Sequence, residues 1–199
     1  LNDVDFQGRD VFVSKLEKMH EYYLYMANPQ RRVAQVGDAH QSDITKRLRN
    51  GYGMFRRLDM LYVATEGQEG KPPVYRSHAF HDAGQYINRS AWADPQALWA
   101  FLDWGGDGGF HCHDDMGHLS VSAYGAFLLI DAGIYAYARP PRLYFENTTG
   151  HNTVLVDRKT QERRDPLEAK WVNTETFDVF RGLTDNSEPL LHERTVAFG

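Results

Sequence analysis

Four polar residues in one apolar stretch have the side-chain types that bind metals and move protons. Residues 105–157 open with Gly-Gly-Asp-Gly-Gly-Phe-His-Cys-His-Asp-Asp and close with Gly-His-Asn-Thr-Val-Leu-Val-Asp. The four polar residues are His111, His113, Asp131 and His151. Imidazole nitrogens and a carboxylate oxygen are ordinary ligands of Zn²⁺ and of other divalent metals. The sequence therefore predicts that three of the four hold a divalent metal and that the fourth faces a substrate.

The spacing of His111 and His113 predicts that both imidazoles share one face. If residues 110–114 form a strand, its side chains alternate, so the two histidines point to one side and Cys112 points into the core. The alternative interpretation is that such a pair consists of surface histidines or of hydrogen-bonded core histidines. His118 follows a glycine that is typical of a turn, and we leave it out of the predicted site.

Two helical patterns precede this stretch. Apolar residues near a 3.6-residue period predict a helix over residues 9–28, which ends because the residue before Pro29 is pushed out of the helical region. A second helical pattern covers residues 42–64, and Gly51 and Gly53 predict a break within it.

After a Gly- and Pro-containing linker the apolar period changes from 3.6 towards 2. Turn residues separate the strand-like patches at intervals of roughly 10 residues, which is typical of a β-sandwich or a barrel. The patches cover residues 77–89, 97–103, 118–130, 152–157, 170–179 and 193–198. The sequence thus predicts an α+β protein with a helical segment at 1–65, a linker at 66–76 and an antiparallel β domain at 77–199.

Composition limits the classes of function. The chain has 199 residues, of which 42% are hydrophobic, so it can bury a substantial core. Its net charge is −5, which predicts no nucleic-acid partner, although a local Arg-rich cleft is still compatible with a polyanionic ligand. The sequence contains no run of 18 apolar residues, so no transmembrane helix is expected.

Several of these motifs, taken in order, resemble one known family. Gly-Gly-Phe-His-Cys-His-Asp-Asp, then Ile-Asp-Ala-Gly, then Gly-His-Asn-Thr-Val-Leu-Val-Asp are similar to the C-terminal part of the heparinase II/III-like polysaccharide lyases. The likeness covers residues 78 to 160 well and the helical part only loosely. It implies the end of an (α/α) toroid followed by an antiparallel β-sandwich, and hence a fragment of a larger protein.

The resemblance also implies roles for single residues. It implies that His113, Asp131 and His151 bind the metal, usually zinc, and that His111 lines the cleft close to the substrate. Asp115 would accept a hydrogen bond from a metal-binding histidine and so orient its imidazole. In the same way, the asparagine that follows His151 is expected to tie down its loop rather than to do chemistry.

The activity implied by the resemblance is β-elimination on an acidic polysaccharide that contains uronic acid, such as heparin, heparan sulfate or alginate. Such enzymes are periplasmic or secreted, and they usually draw a tyrosine and an asparagine or histidine from the toroid helices. Two other hypotheses remain open. One is a non-catalytic glycan-binding or assembly module, in which the metal only fastens loops together. The other is a cupin-type metal enzyme, which also uses an HxH pair but usually places a glutamate a few residues later.

Within the β domain, three side chains are candidates for proton transfer. The pKa of an unperturbed histidine lies near neutrality, which suits His111. Tyr137 and Tyr144 are further candidates because a nearby cation stabilises a phenolate, and Arg139 and Arg142 lie close in sequence. These two arginines are also predicted to bind substrate carboxylates or sulfates. The alternative is that the tyrosines pack in the domain and that the arginines lie in a solvated turn.

Overall fold

Three helices form the first part of the chain in the computed structural model, which describes residues 6–137 and 140–199. The helices are α1 (Arg9–Met26), α2 (Thr45–Phe55) and α3 (Leu58–Ala64). The predicted helix at 9–28 is therefore confirmed to within two residues. Across the described ranges, no helix combines the length and the apolar character needed to cross a membrane.

The second helical pattern is split, but not at the glycines. The chain leaves α2 at Arg56, which adopts the left-handed region with φ +56°. Gly51 lies inside α2 because α2 packs closely on its neighbours: a Cβ there would lie 2.5 Å from Met60 Sδ and 3.0 Å from His20 Cδ2. The predicted break at Gly51 or Gly53 was wrong, since Gly51 serves helix packing.

Within the described residues, eight strands form two antiparallel sheets that pack face to face. The first sheet has the order β1-β2-β3-β4-β5 and the second has the order β6-β7-β8. The strands are β1 (His78–Phe80), β2 (Gln85–Arg89), β3 (Trp99–Asp103), β4 (His118–Ala123), β5 (Ala126–Leu129), β6 (Glu168–Asn173), β7 (Asp178–Ser187) and β8 (Leu190–Phe198). Tyr86 of the first sheet meets Phe180 of the second with ring centroids 4.6 Å apart. The predicted α+β fold with a β-sandwich is confirmed.

Several predicted strands differ from the structure in detail. The pattern at 77–89 contains two strands, the one at 118–130 turns back at Tyr124 and Gly125, and the one at 170–179 spans parts of β6 and β7. Residues 110–114 and 152–157 are loops, apart from a single bridge between Val156 and Lys159.

The loop at 152–157 has a clear physical cause. The side-chain amide of Asn152 donates to the carbonyl oxygens of Leu119 and Ile130, at 3.1 and 2.9 Å. Thr153 Oγ1 donates to the carbonyl oxygen of Met116 at 2.7 Å. The side chains of Asn152 and Thr153 thus bind carbonyl groups of other segments. Such side-chain hydrogen bonds compete with the backbone hydrogen bonds of a sheet. The structure thus supports the expectation that Asn152 ties down its loop.

The helices and the first sheet share one hydrophobic core. Its buried members come from both sides of the predicted linker: Leu24, Met26, Ile44, Leu48, Met60, Ile87, Trp99 and Phe101. Residues 66–76 contain no helix or strand, as expected of a linker. The domain boundaries themselves stay a prediction.

Arg89 joins the helical segment to the sheet. Its buried guanidinium donates from Nη2 to the carbonyl oxygens of Tyr25 and Ala27, at 2.6 and 2.9 Å, and lies 3.5 Å from the ring centroid of Trp92. Carbonyls at a helix C-terminus have no partner within the helix, so a cation is favourable there.

We expect Arg89→Leu to lower the free energy of unfolding by about 2–3 kcal/mol, because it leaves buried carbonyl groups without a donor. The matched control is Arg76→Leu, since Arg76 also donates to two carbonyl oxygens but is exposed. That control should change stability by no more than about 0.5 kcal/mol. Urea unfolding of both variants checks this, and equal losses would contradict the assigned role of Arg89.

Candidate active site and metal centre

Three loops at one end of the first sheet bring together a candidate metal centre. His113 lies in the loop before β4, Asp131 follows β5, and His151 follows a short 3-10 turn at Thr148–Gly150. Each offers one ligand atom, these atoms all lie within 4.8 Å of one another, and all three residues are buried. The residues that the resemblance implied as ligands are therefore close enough to bind one ion.

The unpartnered atoms of this group fit a metal. Asp131 Oδ2 lies 2.8 Å from His151 Nδ1, whereas His113 Nδ1 and His151 Nε2 are buried without a hydrogen-bond partner. A buried polar atom without a partner is costly in free energy. Two imidazoles and a carboxylate are a donor set that divalent transition metals use in proteins. The residues present therefore fit a divalent cation.

Asp131 and His151 also stabilise each other electrostatically. Burial alone would raise the pKa of Asp131, but the hydrogen bond with His151 and the nearby His118 outweigh it, so this pKa is lowered. Burial likewise opposes the charged form of His151, yet Asp131 outweighs it and the pKa of His151 is raised. The pair therefore forms a charge-assisted hydrogen bond.

His118, which the predicted site leaves out because it follows a glycine, packs against the candidate ligands. Its ring lies edge-on to His151 with centroids 5.7 Å apart, and Nδ1 is 3.3 Å from Asp131 Oδ2. The backbone N–H of Asn152 donates to Nδ1, so Nε2 carries the proton and donates to Ser120 Oγ at 2.9 Å. Burial lowers the pKa of His118 to about 4, which keeps the ring neutral.

Asp38 connects His111 with His113, and sequence reasoning missed it. Its Oδ2 lies 2.6 Å from His111 Nδ1 and its Oδ1 lies 3.1 Å from His113 Nε2. The Asp38 side chain is only 6% exposed, whereas that of His111 is 67% exposed. Burial alone would raise the pKa of Asp38, but the hydrogen bonds from the two histidines outweigh it and lower the pKa.

Tyr137 and Arg142 lie beside the His111–Asp38 pair. The ring of Tyr137 is edge-on to that of His111, with centroids 6.1 Å apart, and the Arg142 guanidinium lies 4.9 Å from the Tyr137 ring centroid. Arg142 Nη2 is 3.8 Å from Asp38 Oδ2 and also forms an ion pair with Glu146. The structure thus gathers three of the residues predicted to act on a substrate.

The other two predicted residues are placed differently. Tyr144 lies on the short helix α4 (Arg142–Glu146), is 57% exposed, and packs edge-on against Phe145 with centroids 5.5 Å apart. Arg139 lies outside the described residues. Their predicted catalytic and substrate-binding roles stay predictions.

A cavity of about 270 Å³ opens beside His111, between the loop after α1 and the β domain. The lining residues are Val36, Gly37, Ala83, Gln85, Asp103, Gly105, Gly106, Gly108, His111, Cys112, His113 and Asp115.

Two buried carboxyl groups line this cavity. Burial raises the pKa of Asp103 to about 6, and burial together with Asp103 raises the pKa of Asp115. The charge of Asp115 also favours the protonated form of His151. Its orienting role stays a prediction.

The loop that carries His111 and His113 is held by an ion pair rather than by a sheet ladder. Arg163 donates from Nε to Asp114 Oδ1 at 2.6 Å and from Nη2 to the carbonyl oxygen of Cys112 at 2.9 Å. Cys112 is half-buried and its Sγ lies 3.8 Å from the carbonyl oxygen of Gly106. The expectation of a strand with Cys112 in the core was wrong, because side-chain contacts shape this loop.

Comparisons with known proteins agree with this architecture. The profile of the family described as Heparinase II/III-like, C-terminal, matches residues 72–196. The chain is 26% identical to heparin-sulfate lyases of Bacteroides stercoris and of Pedobacter heparinus, over 94% of this chain in both cases. The solved heparan sulfate lyase HepC from Pedobacter heparinus has a similar fold, with a TM-score of 0.87 and 25% identity over 95% of this chain and 31% of that chain. The chain spans 29% and 30% of the length of the two curated relatives.

Proposed function

Because this chain belongs to the heparinase II/III-like family, we propose that it is the C-terminal part of a polysaccharide lyase that cleaves heparan sulfate or heparin. The two heparin-sulfate lyases that it resembles support this substrate class over alginate. We further propose a periplasmic or secreted location, where such polymers are encountered.

The observation that carries this proposal is the state of His111. Its Nδ1 lies 2.6 Å from a carboxylate oxygen of Asp38, and a carboxylate only accepts, so Nδ1 carries the proton. The lone pair is therefore on Nε2, on a side chain that is 67% exposed beside the cavity. A lone pair held in a fixed direction at the edge of a cavity suits a general base.

β-Elimination uses such a base directly. The base removes the C5 proton of the uronate, the C4–O bond breaks, a C4=C5 double bond forms, and the leaving oxygen takes up a proton. We propose that His111 Nε2 accepts the C5 proton and that Tyr137 donates to the leaving oxygen. Arg142 would face the substrate carboxylate, whose neutralisation makes the C5 proton more acidic. Arg142 must then share its charge with Asp38 and Glu146.

We propose zinc as the ion of the metal centre, held by His113, Asp131 and His151. Two histidines and one carboxylate are an established zinc donor set. When bound, the ion supplies a fixed link between the three loops. Through His113 this link also fixes the loop that carries His111.

The other two hypotheses make different demands. A cupin-type enzyme needs its HxH pair on a barrel strand, whereas residues 111–113 lie in a loop beside two open sheets. A non-catalytic module needs no aligned base, whereas His111 is aligned by Asp38. Both features favour the lyase.

The test is to incubate the full-length protein that contains this chain with heparan sulfate, heparin and alginate, and to follow the absorbance of the unsaturated uronate. We expect absorbance to rise with heparan sulfate or heparin and not with alginate. Retention of the protein on immobilised heparin without any rise in absorbance would contradict the lyase proposal and support a binding module.

A further inference from the structure

We infer that Asp38 is a positioning residue that fixes His111 and His113 in opposite tautomers with a single carboxylate. The half of this inference that concerns proton transfer rests on the proposed function, and the half that concerns the metal centre does not.

The geometry defines both tautomers. Asp38 Oδ2 lies 2.6 Å from His111 Nδ1, and Asp38 Oδ1 lies 3.1 Å from His113 Nε2. Because a carboxylate has only acceptor atoms, each of these ring nitrogens must donate a hydrogen. The lone pairs are then on His111 Nε2, on an exposed side chain, and on His113 Nδ1, which is buried without a partner. One nitrogen is available to a substrate and the other to a metal.

The position of Asp38 is fixed by its own loop. The backbone N–H of Asp38 donates to the carbonyl oxygen of His111 at 3.2 Å. The preceding residue, Gly37, has φ +52°, and a Cβ there would lie 2.1 Å from the same carbonyl oxygen. The loop thus contacts the backbone and the side chain of His111 together. Since Asp38 follows α1 and both histidines belong to the β domain, this contact also joins the two walls of the cavity.

An amide in place of the carboxylate cannot satisfy both histidines. Asparagine has one acceptor oxygen and one donor nitrogen, so only one of the two ring N–H groups retains a partner. The other ring must take up the opposite tautomer or lose its hydrogen bond. A carboxylate behind a metal-binding histidine fixes the ring and raises its basicity, and losing such a partner typically weakens metal affinity.

The decisive variant is Asp38→Asn, with Asp43→Asn as its matched control. Asp43 lies in the same loop but accepts a hydrogen bond from the backbone of Thr45 at the start of α2, a role that asparagine also fills. We expect Asp38→Asn to lower kcat by about 10²-fold or more with KM unchanged, as when a carboxylate that orients a catalytic imidazole is lost. Its affinity for added Zn²⁺ should fall by about 10- to 100-fold. The control should match the wild type in both measurements, and an Asp38→Asn variant that also matches it would overturn the inference.

Two further measurements separate positioning from a general loss of structure. Asp38→Glu keeps two acceptor oxygens, so its Zn²⁺ affinity should lie closer to the wild type than that of Asp38→Asn, and the reverse order would overturn the inference. In a His111→Ala background, Asp38→Asn should cause no further loss of kcat, because its effect on catalysis operates through His111. A further loss of the same size would show that Asp38 does not act through His111. If the wild-type protein cleaves no uronic-acid glycan, the proposed function fails, and the Zn²⁺ affinities alone decide the role of Asp38.

Discussion

His111→Ala is expected to lower kcat on heparan sulfate by about 10²- to 10⁴-fold, which is the usual contribution of a positioned general acid or base. The metal content and the midpoint of thermal unfolding should stay at wild-type values. The physical reason is that the His111 side chain is 67% exposed and makes its hydrogen bond to Asp38 at the edge of the fold. Initial rates of formation of the unsaturated uronate, with metal analysis of the same preparation, check this.

His40→Ala is a suitable control for this variant. His40 is exposed and lies in the same loop as Asp38, but it is not part of the proposed machinery. It should retain the wild-type rate. If His111→Ala also retained the rate, the proposed role of His111 as the base would be wrong.

The second large effect is expected at the candidate metal centre. We expect His113→Ala, Asp131→Ala and His151→Ala each to lose the bound metal. Asp131→Ala should in addition lower the free energy of unfolding by about 3–5 kcal/mol, because it leaves His151 buried without its charged partner. Metal analysis and urea unfolding of each variant check this. His111→Ala is the control that should keep the metal.

Removal of the metal by a chelator gives an independent comparison. Metal binding to the folded state contributes to its stability, so the chelator should lower the unfolding midpoint of the wild type. The same chelator should leave the midpoint of Asp131→Ala unchanged, since that variant has no metal to lose. Full metal occupancy in the His113 and Asp131 variants would contradict the ligand assignment.

The sequence was sufficient to predict the family and the candidate metal centre because both depend on ordered motifs. His113, Asp131 and His151 are separated by many residues, and spacing alone does not bring them together. The match of the whole Gly-His-Asn-Thr-Val-Leu-Val-Asp run to the family pattern implies their roles as ligands. The structure then brought their ligand atoms to within 4.8 Å of one another.

Asp38 was not predictable in the same way. It contacts His111 across 73 residues and His113 across 75 residues, and a Gly-Asp pair in a loop is common in turns of every kind. Nothing local distinguishes Asp38 from Asp43, which accepts a hydrogen bond from the backbone N–H of Thr45. Only the packing of the loop after α1 against the β domain shows which aspartate reaches the site.

Secondary structure was predictable where it depends on local periodicity. The period of apolar residues gave α1 to within two residues, because a helix forms its hydrogen bonds within one segment. The alternation at 110–114 and the Val-Leu-Val run within 152–157 predict strands, but both segments are loops. Their backbones are instead bound by side chains of distant residues, such as Arg163.

The most direct measurement is the absorbance time course of unsaturated uronate from heparan sulfate, recorded for the wild type and for His111→Ala at equal metal content. We expect a steady rise for the wild type and a rise at least about 10²-fold slower for the variant. Equal slopes, or no rise with the metal-loaded wild type, would contradict the assignment of this site as the active site of a lyase.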